Sequence, residues 1–341
     1  MPDNSVHRFN NTAVLSIERA EADVVLTSAE LDQRLSEVYT RTRLRGGLLE
    51  SIVGIRERRR WGADQSFIQG AVTASEAAIA ASGVAKEKIG LFINASLSRE
   101  WLEPATAVVI HNGLGLPRSC QNFDLTNACL GFVSGMQIAS AMIDSGLIDY
   151  ALVVASEDCG PVQESTITRL EAGDTTSSDV ISEFAALTLG SGAAAMVLGR
   201  ADQHPEGHPV VAAVSRAATE HHGLCVGDNK TMFTDLKGLL EAGLELVDDL
   251  WAESAKDFGW DTGMDRYFVH QVSKVHTEAI CAQLGIDQAR VPLTFPEFGN
   301  IGPASVPFTL AGGRNDLKRG DRVLLMGIGS GLNACCLEIA W

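Results

Sequence analysis

The sequence contains no apolar run of the roughly 18–20 residues that a membrane span requires. Its first ten residues, MPDNSVHRFN, also lack the apolar core of a secretory signal peptide. From these two absences we expect a soluble cytoplasmic protein. The seven cysteines are odd in number and form no CxxC pair, which is typical of reduced thiols rather than of a disulfide framework.

Positive charge is also scarce, since 27 Lys and Arg residues stand against 43 Asp and Glu residues, for a net charge of −16. A surface of that sign repels phosphate backbones and anionic membranes. Nucleic acid is therefore excluded as the main partner, although a local basic cluster can still meet an anionic cofactor. Hydrophobic residues make up 45% of the chain and charged residues 21%, a balance that indicates a globular protein with a sizeable core.

Two common cofactor signatures are missing. The chain has no GxGxxG motif, so nicotinamide binding is not indicated. The histidines His221, His222 and His276 lack metal-ligand spacing with any cysteine or carboxylate cluster, and we expect no metal.

At 341 residues the chain is long enough for two domains or for one large duplicated unit. Apolar segments of strand length recur, each bounded by polar residues or glycine. They cover residues 89–96, 149–157, 193–199, 265–271 and 321–329. Helical patterns lie between them, for example at 66–83 and 129–145. This alternation predicts an α/β fold with a largely parallel sheet.

The two halves of the chain show a faint internal similarity. In each half, a strand with a polar tail is followed after a loop by a second such strand. A duplicated fold would bring both sets of tails to one central site, whereas chance similarity between apolar strands explains the pattern equally well. We place the halves at residues 1–200 and 201–341, with the segment 201–209, which contains Pro, Gly and His, as the linker.

The segment 122–145 carries the most informative cysteine. A short alternating strand runs into Cys129, and a long helix that is apolar nearly all round follows and stops at Gly146. Cys129 is therefore expected at the N-terminal end of a buried helix, where the helix dipole favours the thiolate and free N–H groups can bind an oxyanion. Both properties suit a thiol that attacks a thioester, and a packed core cysteine is the equally weighted alternative.

Two residues far from Cys129 in sequence have complementary chemistry. His270 stands at the tip of the predicted strand RYFVH, where it is placed to face a site rather than the core. Asn300 lies between Gly299 and Gly302, and its amide can donate to a developing oxyanion. Taken singly, each is more simply explained by a turn or capping role. Together, a cysteine, a histidine and an asparagine form a set known for acyl chemistry on thiols.

Six motifs, in this order along the whole chain, resemble those of the thiolase superfamily and specifically its ketoacyl-synthase-III-like branch. They are GIRERR at 54–59, NACLGF at 127–132, GSGAAA at 190–195, HQVS at 270–273, GNIGPAS at 299–305 and GIGSG at 327–331. The resemblance implies a five-layered αβαβα thiolase fold of two similar halves and a homodimer. It also implies a catalytic triad of Cys129, His270 and Asn300.

Within that branch the chain most resembles the acyl-CoA:acyl-CoA condensing enzymes of bacterial long-chain olefin biosynthesis, notably at SREWLEP (98–104) and LTLG (187–190). The resemblance implies a non-decarboxylative Claisen condensation of two long-chain acyl-CoAs through an acyl group on Cys129. The product is expected to be a β-ketoacyl-CoA, or the β-keto acid formed from it, for hydrocarbon synthesis. The implied partners are long-chain acyl-CoA, a second copy of the chain and enzymes further along the pathway.

A plain acyl-CoA has no carboxylate to lose, so its weakly acidic α-proton needs a base of raised pKa. The resemblance assigns that base to Glu103, which in such enzymes reaches into the partner subunit's site. From the residues alone, Glu103 is an ordinary surface or helix-start glutamate before the segment 106–113.

The resemblance also suggests roles at other positions. The backbone N–H groups of Cys129 and Gly331 are the expected oxyanion donors. Ser330 is expected either to form a hydrogen bond in the site or to have only a structural role in the turn. Arg56 and Arg58 belong to a basic run that either contacts coenzyme A phosphates or is a solvated charge cluster. No cofactor is expected beyond the coenzyme A of the substrates.

The chain departs from ordinary ketoacyl synthase III in three places. Ser273 stands where that family usually has Asn, and Leu48 and Ile52 replace the Trp and Arg that clamp adenine. These differences weaken the case for a decarboxylating enzyme. The alternatives are a decarboxylating 3-oxoacyl-ACP synthase III that uses malonyl-ACP, or a synthase subunit of a β-lactone or polyketide pathway. A non-catalytic partner subunit is a further alternative, against which the complete triad argues.

Overall fold

The computed structural model of the protein describes residues 5–341, which form fourteen β-strands and twelve α-helices. In chain order the strands are β1 (Val6–Arg8), β2 (Thr12–Glu21), β3 (Val24–Thr27), β4 (Glu57–Arg60), β5 (Leu91–Asn94), β6 (Gln121–Asp124), β7 (Tyr150–Glu157), β8 (Gly192–Arg200), β9 (His208–Ala217), β10 (Cys225–Gly227), β11 (Met232–Thr234), β12 (Arg266–Val269), β13 (Arg322–Gly329) and β14 (Asn333–Ala340). The helices are α1 (Ser28–Arg34), α2 (Ser36–Thr42), α3 (Leu48–Ser51), α4 (Phe67–Ser82), α5 (Thr106–Leu114), α6 (Gly131–Asp144), α7 (Gly160–Glu171), α8 (Ser177–Glu183), α9 (Leu236–Phe258), α10 (Lys274–Leu284), α11 (Phe295–Phe298) and α12 (Ser305–Gly313).

Ten of the strands form two five-stranded halves of one sheet. The first half has the order β2-β8-β7-β5-β6, and the second has the order β12-β13-β14-β9-β1. They are joined where β2 pairs with the start of β9, at Ala13–Pro209 and Val14–His208. The chain crosses from the first half to the second between β8 and β9, through turns in the segment 201–209.

Helices cover these sheets in layers, because strands that are apolar on both faces need a partner on each side. The apolar faces between the two halves enclose α6 and α12. The outer face of the first half packs against α4 and α5, and that of the second packs against α9 and α10. Strand β8 shows the period of two, since Ala194, Met196 and Leu198 face the inner core while Ala193, Ala195 and Val197 face the outer one. The result is the expected αβαβα arrangement.

Strand direction is where the sequence interpretation was wrong. Only β12–β13, β5–β6 and β5–β7 are parallel, and the remaining pairings of the two halves are antiparallel. A strand buried on both faces has the same apolar pattern whichever way its neighbour runs. The hairpin β13–β14 and the antiparallel pairing of β2 with both β8 and β9 therefore left no sign in the periodicity.

The positions of individual elements agree with the sequence. The apolar segments are β5, β7, β8, β12 and β13, and the helical pattern at 66–83 is α4. Ser66 caps that helix in a capping box with Gln69. The signal-peptide prediction concerns residues 1–10, of which the first four lie outside the described range. No helix within residues 5–341 is both long and apolar enough to cross a bilayer.

Candidate active site

A cavity of about 650 Å³ is lined by residues at or just beyond the ends of β6, β7, β12 and β13. Cys129, His270 and Asn300 all line it, so the fold brings together the three residues that the motifs singled out. Much of the remaining wall is apolar and comes from β11 and α9. It includes Met232, Leu236, Leu239, Leu240 and Leu244.

Cys129 lies in the tight turn that joins β6 to α6. Ala128 has a φ of 45°, a left-handed conformation that is uncommon outside glycine. The N–H groups of Leu130 and Gly131 donate back to the carbonyls of Asn127 and Ala128. The helix begins at Gly131, two residues later than the sequence indicated, so Cys129 stands just before its first turn.

Two glycines allow this turn to pack closely against the sheets. A Cβ on Gly131 would lie 2.7 Å from the carbonyl oxygen of Ala95, which follows β5. A Cβ on Gly329, at the end of β13, would lie 2.8 Å from the carbonyl oxygen of Asn127. Any larger residue at either position would push the nucleophile's turn away from its place in the cavity wall.

The electrostatic environment of Cys129 differs from the sequence expectation of a favoured thiolate. Burial raises the pKa of the Cys129 thiol to about 12, and the nearby Cys225 and Glu157 add to the rise. The cavity around the thiol is mostly apolar and holds the carboxylate of Glu157, and both features disfavour a thiolate. The resting nucleophile is therefore a neutral thiol that must lose its proton as it reacts.

His270 is the first residue after β12, as the sequence predicted, and its backbone N–H donates to the carbonyl of Met326 at 2.8 Å. Burial, with a further contribution from His276, lowers the pKa of His270 to about 4, so its imidazole is neutral at pH 7. Its Nδ1 has no hydrogen-bond partner within residues 5–341. A neutral imidazole carries one N–H, which it can donate to a substrate carbonyl.

Asn300 is held on both sides of its backbone. Its N–H donates to the carbonyl of Thr188, and its carbonyl accepts from the N–H of Gly190, each at 2.9 Å. Its side-chain Oδ1 accepts the N–H of Gly302, also at 2.9 Å. The oxygen is thus occupied, and the Nδ2 group, which has no acceptor in the described part of the chain, is free to donate into the cavity. An oxyanion donor requires this orientation.

Ser330 and Gly331 lie in the three-residue turn between β13 and β14. Gly331 has a φ of 124°, a conformation that favours glycine. Ser330 lines the cavity together with Gly329 and Leu332, whereas Gly331 does not. The assignment of the Gly331 N–H to an oxyanion hole stays a prediction, and so does a hydrogen bond from Ser330.

Glu103 lies outside the cavity of its own chain. It is exposed, in the loop 95–105 that joins β5 to α5. Its neighbours Leu102 and Trp101 are 94% and 49% exposed. One chain therefore does not bring Glu103 to Cys129, and the exposed apolar side chains beside it are of the kind that mark a contact surface.

The basic run requires a correction. Arg58 is fully buried on β4, where its guanidinium donates to the Ser28 hydroxyl at 3.0 Å and to the Leu187 carbonyl at 3.1 Å. Burial lowers its pKa to about 10. A guanidinium enclosed in this way cannot reach a coenzyme A phosphate, so the role suggested for Arg58 is wrong. Arg56 is exposed and pairs with Glu297 at 2.8 Å, and its role in phosphate binding stays a prediction.

Two residues to which the sequence interpretation gave no role also line the cavity. Glu157, the last residue of β7, is buried, and burial raises its pKa to about 7. His276, in the first turn of α10, bonds through Nδ1 with the hydroxyl of Ser273 at 2.8 Å. The polar tail of the predicted strand 149–157 was a signal for Glu157, whereas the sequence pattern gave no signal for His276.

Residues 5–341 contain no group of three or more His, Cys, Asp or Glu side chains that could hold a metal ion. The seven cysteines are all free thiols.

Two segments of the chain match known family profiles. Residues 123–218 match 3-oxoacyl-[acyl-carrier-protein (ACP)] synthase III, and residues 261–341 match 3-oxoacyl-[acyl-carrier-protein (ACP)] synthase III C terminal. Cys129 lies in the first segment, while His270 and Asn300 lie in the second.

Two similar proteins are both named acyl-CoA:acyl-CoA alkyltransferase. The one from Xanthomonas campestris pv. campestris is 41% identical over 98% of this chain and 99% of its own length. The one from Shewanella oneidensis is 32% identical over 98% of this chain and 100% of its own length.

Solved structures of Xanthomonas campestris OleA have the same fold as this chain. The cerulenin-bound structure has a TM-score of 0.96 at 41% identity and covers 100% of both chains. A cysteine-to-serine variant with bound lauric acid and lauroyl-CoA has a TM-score of 0.95 at 41% identity and covers 98% of this chain and 100% of that one. Other variants of that enzyme are substituted at one glutamate or at one histidine. This chain therefore belongs to the OleA-type acyl-CoA:acyl-CoA alkyltransferases, within the ketoacyl-synthase-III-like branch of the thiolase superfamily.

Proposed function

We propose that the protein joins two acyl-CoA molecules by a Claisen condensation without decarboxylation. One observation carries this proposal. Cys129, His270 and Asn300 line one largely apolar cavity in a chain that is 41% identical, over nearly its whole length, to an acyl-CoA:acyl-CoA alkyltransferase. The apolar wall and the lauroyl-CoA bound to the related enzyme support long-chain acyl-CoAs as the substrate class.

In the first half-reaction, the sulfur of Cys129 attacks the thioester carbonyl of one acyl-CoA. A bond forms between Cys129 and the acyl carbon, the bond to the coenzyme A sulfur breaks, and the thiol proton leaves with free coenzyme A. The N–H of Cys129 stabilises the oxyanion in this step, with the N–H of Gly331 as the second proposed donor.

In the second half-reaction, another acyl-CoA loses its α-proton, and the resulting carbanion attacks the thioester on Cys129. His270 and Asn300 donate N–H groups to the carbonyl oxygen of this second acyl-CoA, where the negative charge of the enolate collects. The carbon–carbon bond forms as the bond to Cys129 breaks, which gives a β-ketoacyl-CoA and a Cys129 thiolate. The thiolate takes up the proton that the base removed from the α-carbon, and the thiol is restored. Hydrolysis by water then gives a β-keto acid, the precursor for olefin synthesis. These steps need no cofactor beyond the coenzyme A of the substrates.

The base that removes the α-proton is assigned to Glu103 of the partner subunit in a homodimer. Glu103 is exposed beside Leu102 and Trp101, on a loop that leads away from its own cavity. A spacing supports the assignment. The glutamate and the cysteine substituted in the OleA variants are 26 positions apart, and so are Glu103 and Cys129.

The cytoplasm is the proposed location. It supplies acyl-CoA, and its reducing conditions fit a chain whose cysteines are all unpaired.

A decarboxylating 3-oxoacyl-ACP synthase III is the second candidate, because both matched family profiles carry that name. In such an enzyme the carbanion comes from loss of carbon dioxide from malonyl-ACP, so no base is needed. The alkyltransferase relatives cover nearly the whole chain, whereas the two profiles cover separate segments of it, and for this reason we favour the non-decarboxylating reaction.

A turnover assay with one long-chain acyl-CoA as the sole substrate decides between these reactions. We expect release of coenzyme A together with a β-keto acid, or the ketone derived from it, of nearly doubled chain length. If condensation appears only after a malonyl thioester is added, the proposed reaction is wrong and the enzyme is a decarboxylating synthase.

A further inference from the structure

Glu157 is a buried carboxylate in the cavity wall that has no cationic partner in the described part of the chain. It is 7% exposed, and burial raises its pKa to about 7. Its two oxygens accept three hydrogen bonds from two consecutive residues. The N–H of Leu97 donates at 2.7 Å, the N–H of Ser98 at 3.1 Å and the hydroxyl of Ser98 at 2.7 Å. These bonds offset part of the cost of burying a carboxylate.

The charge of Glu157 does not help the nucleophile in the same cavity. Glu157 is one of the groups that raise the pKa of Cys129, which opposes formation of the thiolate. Its oxygens already accept bonds from three donors, all of which belong to Leu97 and Ser98. Through these bonds Glu157 holds the first part of the loop 95–105 in place.

A second carboxylate anchors the other end of the same loop. Asp124 accepts the first two N–H groups of α5, those of Thr106 and Ala107, at 2.9 and 2.8 Å. It also pairs with Arg99 at 2.7 Å. Between these anchors, residues 100–104 make no hydrogen bond or ion pair with the rest of residues 5–341. The loop is therefore fixed at both ends and projects from the protein in its middle.

We propose that Glu157 is a positioning residue that fixes this loop so that its tip delivers Glu103 to the partner subunit's site. The inference rests on the proposed function, in which Glu103 is the base. A base that is displaced by about 1 Å loses on the order of 10²-fold in rate, so the loop must be held firmly. Because Glu157 lines one cavity while the loop tip serves the other, it also connects the two sites of the dimer.

Glu157→Gln tests this role, because an amide offers only one acceptor oxygen and at least one N–H of Leu97 or Ser98 then loses its partner. Acylation of Cys129 can be measured in a single turnover by intact-protein mass spectrometry. It should be no slower than in wild type, because the variant removes a charge that opposes formation of the thiolate. Condensation, measured as β-keto acid formed, should fall at least tenfold. Equal losses in both steps would overturn the proposal.

Ser98→Ala is the milder companion variant, since it removes only one of the three bonds. It should show the same selective loss of condensation to a smaller degree. If thermal unfolding shows that E157Q does not fold, the proposal is tested with S98A only. An unchanged condensation rate in S98A would then overturn the proposal.

Mixed dimers, purified from two differently tagged chains, show on which site Glu157 acts. In a dimer of a C129A chain and an E157Q chain, the remaining Cys129 receives Glu103 from the C129A chain, whose loop is intact. Condensation should match that of a C129A/wild-type dimer. In a dimer of a wild-type chain and a C129A/E157Q chain, Glu103 comes from the damaged loop, and condensation should fall at least tenfold. The reverse pattern would overturn the proposal by placing the effect of Glu157 in its own cavity.

A third dimer separates this proposal from the proposed function. It combines a wild-type chain with a C129A/E103A chain and should not condense. If it condenses at the rate of the C129A/wild-type dimer, Glu103 is not the base and the proposed function is wrong at that step. If it is inactive while both dimers that contain E157Q are fully active, only the role of Glu157 is wrong.

Discussion

Burial displaces the pKa of Cys129 and that of His270 in opposite directions, to about 12 and to about 4. A thiol with a raised pKa stays protonated at neutral pH, and an imidazole with a lowered pKa stays unprotonated. Both groups are therefore uncharged at rest. This pair differs from the thiolate–imidazolium pairs in which a cysteine is ionised before its substrate arrives.

The uncharged state of Cys129 predicts how it reacts without substrate. Alkylation of Cys129 by iodoacetamide should rise about tenfold per pH unit from about pH 6 to 10 without levelling off, because only the thiolate reacts. Mass spectrometry of the peptide that contains Cys129 measures the rate and separates it from the other cysteines. A plateau near pH 7 would reveal an ion pair with His270 and contradict this assignment.

Asn300→Asp should separate the two half-reactions. Aspartate keeps an oxygen for the N–H of Gly302 but replaces the donating NH₂ group with an acceptor. Condensation should fall by about 10²–10³-fold, the usual loss when one oxyanion donor is removed. Acylation of Cys129 should fall much less, because Asn300 is assigned to the second acyl-CoA. Single-turnover acylation and steady-state condensation measure the two steps, and equal losses would show that Asn300 acts in both.

Gly190→Ala should disturb the support of Asn300. A Cβ on Gly190 would lie 1.8 Å from the carbonyl oxygen of Phe298, and the N–H of Gly190 donates to Asn300. We expect a loss of about 3 kcal/mol or more in the free energy of unfolding, because a backbone must move to make room. Chemical denaturation measures this loss. Gly173→Ala is the matched control, since a Cβ there meets nothing within 4 Å; a comparable loss in that variant would contradict the steric explanation.

Two of the candidate catalytic residues could be placed at a common site from the sequence because they follow strands. Cys129 comes after β6 and His270 after β12, and buried strands are recognisable by their apolar runs. The directions of the strands and the protonation state of Cys129 could not be predicted, for physical reasons. Apolar runs do not reveal strand direction. The helix after Cys129 is visible in the sequence, but the enclosure that raises the pKa of its thiol is a tertiary property.

Arg58 and Glu103 show two further limits of the sequence. An arginine in a run of four is expected in solvent, and only the folded chain shows that Ser28 and Leu187 enclose Arg58. The position of Glu103 in the chain is clear from the sequence, but its proposed target is not, because the proposed contact involves a second chain.

Arg58→Lys tests the correction made for the basic run. Lysine has one nitrogen at its tip and cannot reproduce both hydrogen bonds of the guanidinium. We expect a loss of about 1–3 kcal/mol in the free energy of unfolding and an unchanged KM for acyl-CoA. Arg56→Ala should leave stability unchanged, since the pair of Arg56 with Glu297 is exposed. A higher KM in the Arg58 variant at full stability would restore the phosphate-binding role.

Gly243 is predicted to set the length of acyl chain that the cavity accepts. It lines the cavity from the middle of α9, although a glycine inside a helix costs about 1 kcal/mol relative to alanine. In the described chain, a Cβ there would meet only the end of the Ile328 side chain, at 3.2 Å. Gly243→Ala should therefore be at least as stable as wild type.

Gly243→Leu instead projects a side chain into the space that the glycine leaves open. The Leu variant should prefer shorter acyl-CoAs, with a drop in kcat/KM confined to the longest substrates. Assays with acyl-CoAs of graded length measure the shift, and the Ala variant is the control for the change of helix propensity. If the Leu variant folds normally and keeps the wild-type length profile, the acyl chains run along another part of the cavity wall, away from α9.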